Sequence, residues 1–300
     1  MDNAIVAQNL TKCFDNFVAV NNVSFSIPKG SIFGFLGPNG SGKSTVIRML
    51  CGILSPSRGK ADVLGYNILS ESEKIRENIG YMSQKFSLYV ELNVYENITF
   101  YARLYGLKGK VLNKKREEVM NLVGITNYKN RLAGNLSGGW KQRLALACSL
   151  IHSPKVIFLD EPTAGIDPVA RRKLWDLIFE LSGQGVTFFV TTHYMDEAER
   201  CTQVGYIYLS NLIVCGIPED LKNMPQITPK GYKRVEVICD NVTKVLGEIR
   251  YLKYVKEATI FGQAIHLLID EQICEALMKK KKKKIGAKQI DIKMVKPTLE

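Results

Sequence analysis

The fold of this 300-residue chain is decided by residues 37–45, which read Gly37-Pro38-Asn39-Gly40-Ser41-Gly42-Lys43-Ser44-Thr45. They match the pattern G-x-x-x-x-G-K-[ST], whose glycines let backbone N–H groups turn toward phosphate oxygens. An apolar strand is predicted before the loop, and a helix from Ser44 to Cys51 presents its positive end to the same anion. A glycine-rich turn with a stray lysine would lack this context, so we predict a phosphate-binding loop.

Several positions of the predicted loop have their own expected tasks. Lys43 is expected to reach the β- and γ-phosphates, and the Ser44 hydroxyl is expected to ligate Mg²⁺. The other candidate nucleotide contacts in the loop are Gly37, Asn39, Gly40, Ser41, Gly42 and Thr45. Since such a loop fits many kinases and GTPases, the reaction has to be inferred from other residues.

A second candidate site follows the apolar run Val156-Ile157-Phe158-Leu159, which ends in Asp160-Glu161. A nearly continuous apolar run is typical of a buried parallel strand, and ligands bind at the carboxyl ends of such strands. Asp160 is expected to hold Mg²⁺ through water, and Glu161 to polarise the attacking water as general base. Ordinary surface acids are the alternative, and the phosphate loop weighs against them.

Apolar strands and helices alternate along roughly the first 220 residues. A periodicity of 3.6 residues from Val94 to Ile151 predicts a helical insert at about residues 90–152. A helix at Pro168–Leu181 and an apolar strand at Val186–Thr191 follow it. This alternation predicts an α/β fold with a mostly parallel sheet.

Composition excludes several other classes of protein. With 46% hydrophobic and 23% charged residues, the chain can bury a sizeable core. No apolar run approaches the ~18 residues of a membrane span, and no signal peptide is evident, so a cytosolic chain is predicted.

The seven cysteines form no C-x-x-C pair and are expected to be buried and reduced. Residues 221–300 carry 17 Lys and Arg against 9 Asp and Glu, so nucleic-acid binding by the main domain is not expected.

A third motif precedes the acidic strand and reads Leu136-Ser137-Gly138-Gly139-Trp140-Lys141-Gln142-Arg143. Ser137, Gly138 and Gly139 offer a hydroxyl and unhindered N–H groups at a predicted helix N-terminus, a suitable anion site. The stretch resembles the signature motif of the ABC (ATP-binding cassette) ATPases. With the phosphate loop and Leu159-Asp160-Glu161-Pro162, the resemblance covers roughly residues 1–220. Trp140 departs from the glutamine most common in that family, which leaves its contacts open.

This resemblance implies a P-loop NTPase fold with a RecA-like parallel sheet core, an N-terminal antiparallel β subdomain and a helical insert. It implies ATP and Mg²⁺ as cofactors. It also implies a head-to-tail dimer with a second nucleotide-binding domain, either identical or different. Each ATP would then lie between the phosphate loop of one chain and Ser137, Gly138 and Gly139 of the other.

The resemblance assigns further roles residue by residue. Gln84 matches the Q-loop glutamine that senses Mg²⁺ and the attacking water, and His193 matches the switch histidine that contacts the γ-phosphate. Asp167 matches the D-loop aspartate of the dimer interface and can also cap the helix that follows. Phe14 matches the aromatic residue that stacks on adenine. Phe17 is a competing candidate, and a role for Phe14 in the core is the alternative.

Three stretches resemble a narrower group, the ATPases of bacterial exporters for drugs, polysaccharides or lipids: Asn93–Asn97, Tyr101–Gly106 and Thr192–Arg200. The implied protein is an ATP-hydrolysing motor subunit, peripheral on the cytoplasmic face of the cell membrane, with a separate transmembrane permease chain. Motion would pass to that chain through the insert near Phe86–Tyr105, where Phe86, Tyr89 and Tyr95 fit either a docking groove or the core of the insert itself. An importer motor, or a soluble ABC ATPase acting on ribosomes or DNA, is the alternative. The single cassette without a heptad run disfavours the latter.

A domain boundary is predicted within residues 218–231, which hold three prolines. It separates an ATPase domain, residues 1–220, from a small α+β accessory module, residues 221–300. The module's pattern of strand, helix, strand, strand, helix, strand predicts a ferredoxin-like fold.

Two features near the C-terminus are left open by the sequence. The run Lys279–Lys284, in a helix predicted at Gln272–Lys284, fits contact with anionic lipids or a solvated helix end. The ending Pro297-Thr298-Leu299-Glu300 resembles the start of a longer ending in the exporter group, which leaves truncation at Glu300 open.

Overall fold

The computed structural model describes residues 2–84, 87–273 and 290–295. The chain divides into two compact units, Met1–Pro218 and Glu219–Glu300. This division falls within the proline-rich stretch of residues 218–231. Among the described residues, no helix is long and apolar enough to cross a bilayer.

The first unit contains a mixed sheet with the strand order β5-β4-β1-β2-β10-β9-β3-β8-β7-β6. Its strands are β1 (Asn3–Phe14), β2 (Phe17–Pro28), β3 (Ile32–Leu36), β4 (Arg58–Val63), β5 (Tyr66–Asn67), β6 (Ile79–Met82), β7 (Val156–Asp160), β8 (Thr187–Thr192), β9 (Gln203–Tyr208) and β10 (Asn211–Gly216). Strands β6, β7, β8, β3 and β9 are parallel neighbours. The predicted parallel α/β core is therefore confirmed.

An antiparallel part adjoins this core and is built on the long hairpin of β1 and β2. Its two-residue turn places Phe14 opposite Phe17, and Asp15 adopts a left-handed backbone with φ of 48°. Aspartate is one of the residues that tolerate this region. Strand β4 pairs with β1, while β10 joins β2 through a single parallel pair, Asn21 opposite Asn211.

Helices cover the sheet and form the insert. They are α1 (Lys43–Leu50), α2 (Ser72–Asn78), α3 (Val94–Leu104), α4 (Gly109–Leu122), α5 (Gly138–Leu150), α6 (Pro168–Gly183) and α7 (Met195–Ala198), with 3₁₀ turns at Thr126–Tyr128 and Ala133–Asn135. Helices α3, α4 and α5 make up the insert. A capping box starts α3: the Asn93 side chain accepts from Glu96 N at 2.8 Å, and the Glu96 carboxylate accepts from Asn93 N at 2.8 Å.

A cluster of buried phenylalanines joins the two parts of the sheet. The Phe25 ring stacks on Phe33 with centroids 5.3 Å apart, and Phe189 lies 5.4 Å from both Phe33 and Phe35. Phe158 on β7 extends the cluster, at 5.6 Å from Phe189. Burying a ring of this size stabilises the fold by roughly 1.5–3 kcal/mol. The cluster therefore fixes the strands whose ends carry the candidate site.

The second unit begins within α8 (Pro218–Lys222) and contains β11 (Tyr232–Cys239), α9 (Val242–Ile249), β12 (Val255–Phe261), β13 (Ala264–Asp270) and β14 (Ile290–Met294). Its antiparallel sheet has the order β12-β13-β11-β14. Strand β13 thus lies between the two strands that α9 connects, as in a ferredoxin-like split βαβ unit. Gln272 lies in a turn and residue 273 is not helical, while residues 274–284 of the helix predicted at Gln272–Lys284, with its lysine run, fall outside the described residues.

The prediction of uniformly buried cysteines is wrong at three of the six described positions: Cys215 is exposed, and Cys13 and Cys239 are half-buried. Cys51, Cys148 and Cys201 are buried, and burial raises the thiol pKa of each above its usual range. Cys215 is exposed because it lies on the β9–β10 hairpin, where alternate side chains face solvent. The described cysteines are all free thiols.

Candidate nucleotide-binding site

The carboxyl ends of four neighbouring parallel strands lie along one edge of the sheet. The phosphate loop follows β3, Gln84 follows β6, Glu161 follows β7 and His193 follows β8. Because these strands share one direction, residues up to 156 positions apart in the chain meet at this edge. The parallel topology thus brings the predicted residues of the two candidate sites together.

The backbone of the phosphate loop needs glycine at two close approaches. A Cβ at Gly37 would lie 2.3 Å from the Ile207 carbonyl oxygen, and one at Gly42 would lie 2.4 Å from the Ala19 carbonyl oxygen. Gly42 also has φ of 105°, which L side chains rarely adopt. Ser41 Oγ is buried and has no hydrogen-bond partner among the described residues. A tight glycine cradle with an unpaired hydroxyl fits a bound phosphate chain.

Lys43 lies at the base of this loop and is almost completely buried. Its ammonium Nζ donates to the carbonyl oxygens of Gly37 and Pro38 at 2.8 and 3.0 Å. It also lies 3.3 Å from Glu161 Oε1. The carbonyl oxygens of the loop therefore hold the Lys43 ammonium next to the Glu161 carboxylate.

Glu161 is the point on which the site converges. Besides the Lys43 contact, its Oε2 accepts a hydrogen bond from Gln84 Nε2 at 3.1 Å and lies 3.6 Å from His193 Nδ1. The residue has φ of 50°, a left-handed backbone that costs roughly 1–3 kcal/mol for a residue of this kind. Its side chain is only 8% exposed. A strained, buried carboxylate with three polar neighbours has the geometry of a functional site.

Thr191, a residue that the sequence did not single out, ties the two acids together. Its hydroxyl donates to Asp160 Oδ1 at 2.7 Å and accepts from the Glu161 backbone N–H at 2.9 Å. The sequence did contain a hint of this role, since Thr191 places a hydroxyl in an otherwise apolar strand. Buried hydroxyls are normally hydrogen-bonded, so a polar partner nearby was to be expected. Thr191 therefore links the end of β8 to the acidic end of β7.

A cavity of about 560 Å³ surrounds these groups. It is lined by Phe14, Phe17, Ala19, Asn39, Gly40, Gly42, Lys43, Ser44, Thr45, Gln84 and Glu161. Phe14 and Phe17 are 46% and 61% exposed, so neither is a core residue. Both rings can therefore offer a face to a planar base, and the choice between them stays open.

The residues predicted to hold Mg²⁺ are compatible with that ion. Ser44 and Gln84 line the same cavity, and the buried Asp160 lies next to Glu161. Hydroxyl, amide and carboxylate oxygens are the hard ligands that Mg²⁺ prefers, usually completed by water and substrate phosphates.

The signature residues lie elsewhere on the same unit. Ser137 is the N-cap of α5 but makes no side-chain capping bond, and both Ser137 and Gly138 are exposed. Ser137 and Gly139 line a second cavity of about 380 Å³ together with Asp167. The Asp167 carboxylate accepts from the backbone N–H groups of Val169 and Ala170 at 3.0 and 2.9 Å. This second cavity shares no lining residue with the phosphate-loop cavity.

Trp140, whose contacts the sequence left open, packs within the insert. Its ring lies 4.4 Å from the Tyr128 ring, and the Arg143 guanidinium carbon lies 5.1 Å from its centroid. Arg143 in turn donates to the Val123 carbonyl oxygen at 2.6 Å. Trp140 therefore anchors the start of α5 to the 3₁₀ turn at Thr126–Tyr128, and Arg143 anchors it to the end of α4.

Together, the parallel sheet, the glycine loop around a buried lysine and the carboxylates at the next strand end define a P-loop nucleotide-binding domain. Residues 20–164 match the family model described as ABC transporter. The "Probable multidrug ABC transporter ATP-binding protein YbhF" of Escherichia coli (strain K12) is 48% identical over 221 residues, or 74% of this chain and 38% of that protein.

A second relative covers more of the chain. The "Nod factor export ATP-binding protein I" of Rhizobium sp. (strain N33) is 34% identical over 263 residues, which is 87% of this chain and 84% of the relative. The structure of cbiO1 from Clostridium perfringens, described as part of the ABC transporter complex cbiONQ, superposes with a TM-score of 0.69 at 29% identity. It covers 77% of this chain and 94% of that one. The chain belongs to the ABC transporter family of ATP-binding proteins.

Proposed function

We propose that this chain is the ATP-binding and ATP-hydrolysing motor subunit of an ABC membrane exporter. The convergence of Lys43, Gln84 and His193 on Glu161 carries the proposal, since it places a phosphate-binding cation beside a candidate base. The relatives named for a multidrug transporter and for Nod factor export favour export. An importer motor is the alternative, because the cassette itself does not choose the direction of transport.

In the proposed reaction, the phosphate loop binds the triphosphate of ATP and Lys43 neutralises its β- and γ-phosphates. Glu161 accepts a proton from the water whose oxygen attacks the γ-phosphorus, while the bond to the β–γ bridging oxygen breaks. Gln84 orients that water, and His193 donates a hydrogen bond to the γ-phosphate. Bound Mg²⁺, held by Ser44, Gln84 and Asp160, would supply charge neutralisation at the phosphates. Phe14 or Phe17 would stack on the adenine.

We further propose that two such domains sandwich ATP. The signature residues Ser137, Gly138 and Gly139 and the phosphate loop line separate cavities of one chain, so a shared nucleotide requires a partner domain. The free hydroxyl and exposed N-terminus of α5 would contact the γ-phosphate held by the other chain. Asp167, in the same cavity as Ser137, would lie at the interface.

Gel filtration tests this arrangement directly. The Glu161→Gln variant is expected to shift from monomer to dimer with ATP and Mg²⁺, because ATP persists at the interface when hydrolysis is blocked. ADP, which lacks the γ-phosphate, is the control and should leave a monomer. A second variant, Glu161→Gln with Ser137→Glu, places a negative charge where the γ-phosphate should sit. It should bind ATP and stay monomeric; a dimer here would contradict the sandwich.

Another cavity of the first unit is a candidate docking site for the permease. It is an apolar groove of about 260 Å³ between β6 and the insert, lined by residues that include Ile53, Met82, Tyr101, Tyr105 and Ala145. Burial raises the pKa of Tyr101 to about 12, so its hydroxyl stays protonated, and it donates to the Ser87 carbonyl oxygen. We propose that a cytoplasmic segment of a separate permease chain docks here, which places the subunit on the inner face of the membrane.

Tyr89 and Tyr95, which the sequence left open between docking and the core of the insert, do not line the groove. The Tyr89 ring packs on the edge of Phe100 at 4.6 Å, and the Arg116 guanidinium lies 3.5 Å from the Tyr95 centroid. Both side chains thus make contacts within the insert, while Phe86 lies outside the described residues. The aromatic residues that line the groove are Tyr81, Tyr101 and Tyr105.

An exposed side chain in the groove allows a test of docking. Ile53 is 57% exposed, so Ile53→Arg should fold normally yet place a charge in an apolar contact. We expect at least about tenfold less permease to co-purify with this variant from detergent-solubilised membranes. Leu69→Arg is the matched control, because Leu69 is 55% exposed and lies outside the groove. If equal amounts of permease co-purify with both variants, the permease docks on a different surface.

A further inference from the structure

A partly buried ion pair, Arg171 with Glu197, lies outside the phosphate-loop cavity. The Arg171 Nε donates to Glu197 Oε1 at 2.6 Å, and its Nη2 lies 2.7 and 2.9 Å from the two Asp196 carboxylate oxygens. Glu197 is completely buried, whereas Asp196 is 65% exposed. A fully buried carboxylate is costly unless it is paired and hydrogen-bonded, so Arg171 holds Glu197 in place.

The second oxygen of Glu197 reaches the residue directly before His193. Thr192 Oγ1 donates to Glu197 Oε2 at 2.6 Å and accepts from the Tyr194 backbone N–H at 3.0 Å. The Tyr194 ring lies 4.0 Å from the His193 ring, and its centroid lies 4.4 Å from the Arg171 guanidinium carbon. His193 is therefore flanked on both sides by residues anchored to this ion pair.

The same guanidinium belongs to the helix that Asp167 starts. Arg171 lies one turn into α6, and its backbone N–H donates to the Asp167 carbonyl oxygen at 3.0 Å. The chain of contacts thus runs from the N-terminus of α6, through Arg171 and Glu197, to Thr192 and His193. A contiguous chain of hydrogen bonds of this kind is the type of network through which two sites can be coupled.

We infer that Arg171 and Glu197 are positioning residues for His193, which hold its imidazole beside Glu161 and link it to the α6 N-terminus at the proposed dimer interface. The inference rests on the proposed ATPase function. It adds to that function two residues that do not line the phosphate-loop cavity. If the pair only stabilised the fold, its loss would act independently of His193.

The test is a double-mutant cycle on steady-state ATP hydrolysis. Glu197→Gln keeps the shape and an oxygen for Thr192 but removes the charge that pairs with Arg171. We expect kcat to fall by about tenfold with KM for ATP changed less than about twofold. In the His193→Ala background, Glu197→Gln should lower kcat less than about twofold, because the histidine that Glu197 positions is absent. Equal losses in both backgrounds would overturn the inference.

Matched variants keep the result interpretable. Arg171→Gln removes the other partner of the pair and should reproduce the loss in kcat and its dependence on His193, provided that thermal unfolding shows a folded protein. Asp196→Asn should have a smaller effect, because Asp196 is exposed and does not contact Thr192 in the hydrogen bonds described. Arg172→Gln, at an exposed neighbouring cation, should leave kcat unchanged. Wild-type protein without ATPase activity would refute the proposed function, whereas active Arg171→Gln and Glu197→Gln variants would refute only the positioning role.

Discussion

Glu161→Gln is expected to slow ATP hydrolysis by about 10²–10⁴-fold while ATP affinity stays equal or becomes tighter. The amide is the same size as the carboxylate and can still accept from Gln84 Nε2, so the site keeps its geometry. What it loses is the ability to take a proton from water. It also no longer places a negative charge 3.3 Å from the Lys43 ammonium, which becomes fully available to phosphate.

Single-turnover hydrolysis and nucleotide titration separate these two effects. The rate should fall and the dissociation constant should not rise, in a protein whose thermal stability shows that it remains folded. Glu180→Gln, on the exposed side of α6, serves as the matched control and should behave as wild type. Hydrolysis within about threefold of wild type would mean that another group activates the water, and Asp160 would be the next residue to test.

The phosphate loop and the acidic strand end were predictable because their signals are local. A strand, a glycine turn and a helix follow one another within residues 32–50, and the direction of the parallel strands then fixes where their ends meet. Gln84 and His193 were placed by family resemblance, and the structure brings both beside Glu161. Their roles in catalysis remain proposals.

Other features depend on pairings that no short stretch of sequence encodes. The sequence did not predict strands β4, β9 and β10 individually, and each lies beside a distant partner: β4 pairs with β1, β9 with β3, and β10 with β9 and β2. The Arg171–Glu197 pair joins residues 26 positions apart on different elements, and neither residue is unusual in its local sequence. Such contacts follow from tertiary packing, which overrides local propensity.

The packing of aromatic residues shows the same limit. Periodicity identified the insert as helical, yet it did not show that Trp140 meets Tyr128 or that the Tyr105 ring stacks on His152 at 3.6 Å. The second stack matters for the site, because His152 Nε2 lies 2.9 Å from the Ile79 carbonyl oxygen at the start of β6. Because Gln84 follows directly after β6, the insert contacts the strand that leads to one of the candidate catalytic residues.

Lys43→Ala is expected to weaken ATP binding by about 10- to 100-fold, because a charge-assisted contact with phosphate contributes roughly 1.5–3 kcal/mol. The substitution also removes the two hydrogen bonds that Nζ donates to the Gly37 and Pro38 carbonyl oxygens, so the loop loses its internal support. Glu161 keeps its contacts with Gln84 and His193 but loses its cation. The loss of the cation and the loss of support for the loop both weaken the binding of a triphosphate.

Titration with a fluorescent ATP analogue measures the loss, and Lys43→Arg separates its two causes. Arginine keeps the charge but cannot fit the compact site between two carbonyl oxygens and a carboxylate, so binding should recover only in part. Lys60→Ala, at an exposed lysine on β4 outside the cavity, is the control and should bind ATP as wild type does. An unchanged dissociation constant for Lys43→Ala would contradict the assignment of residues 37–45 as the phosphate loop. The buried ammonium would then serve only to neutralise Glu161.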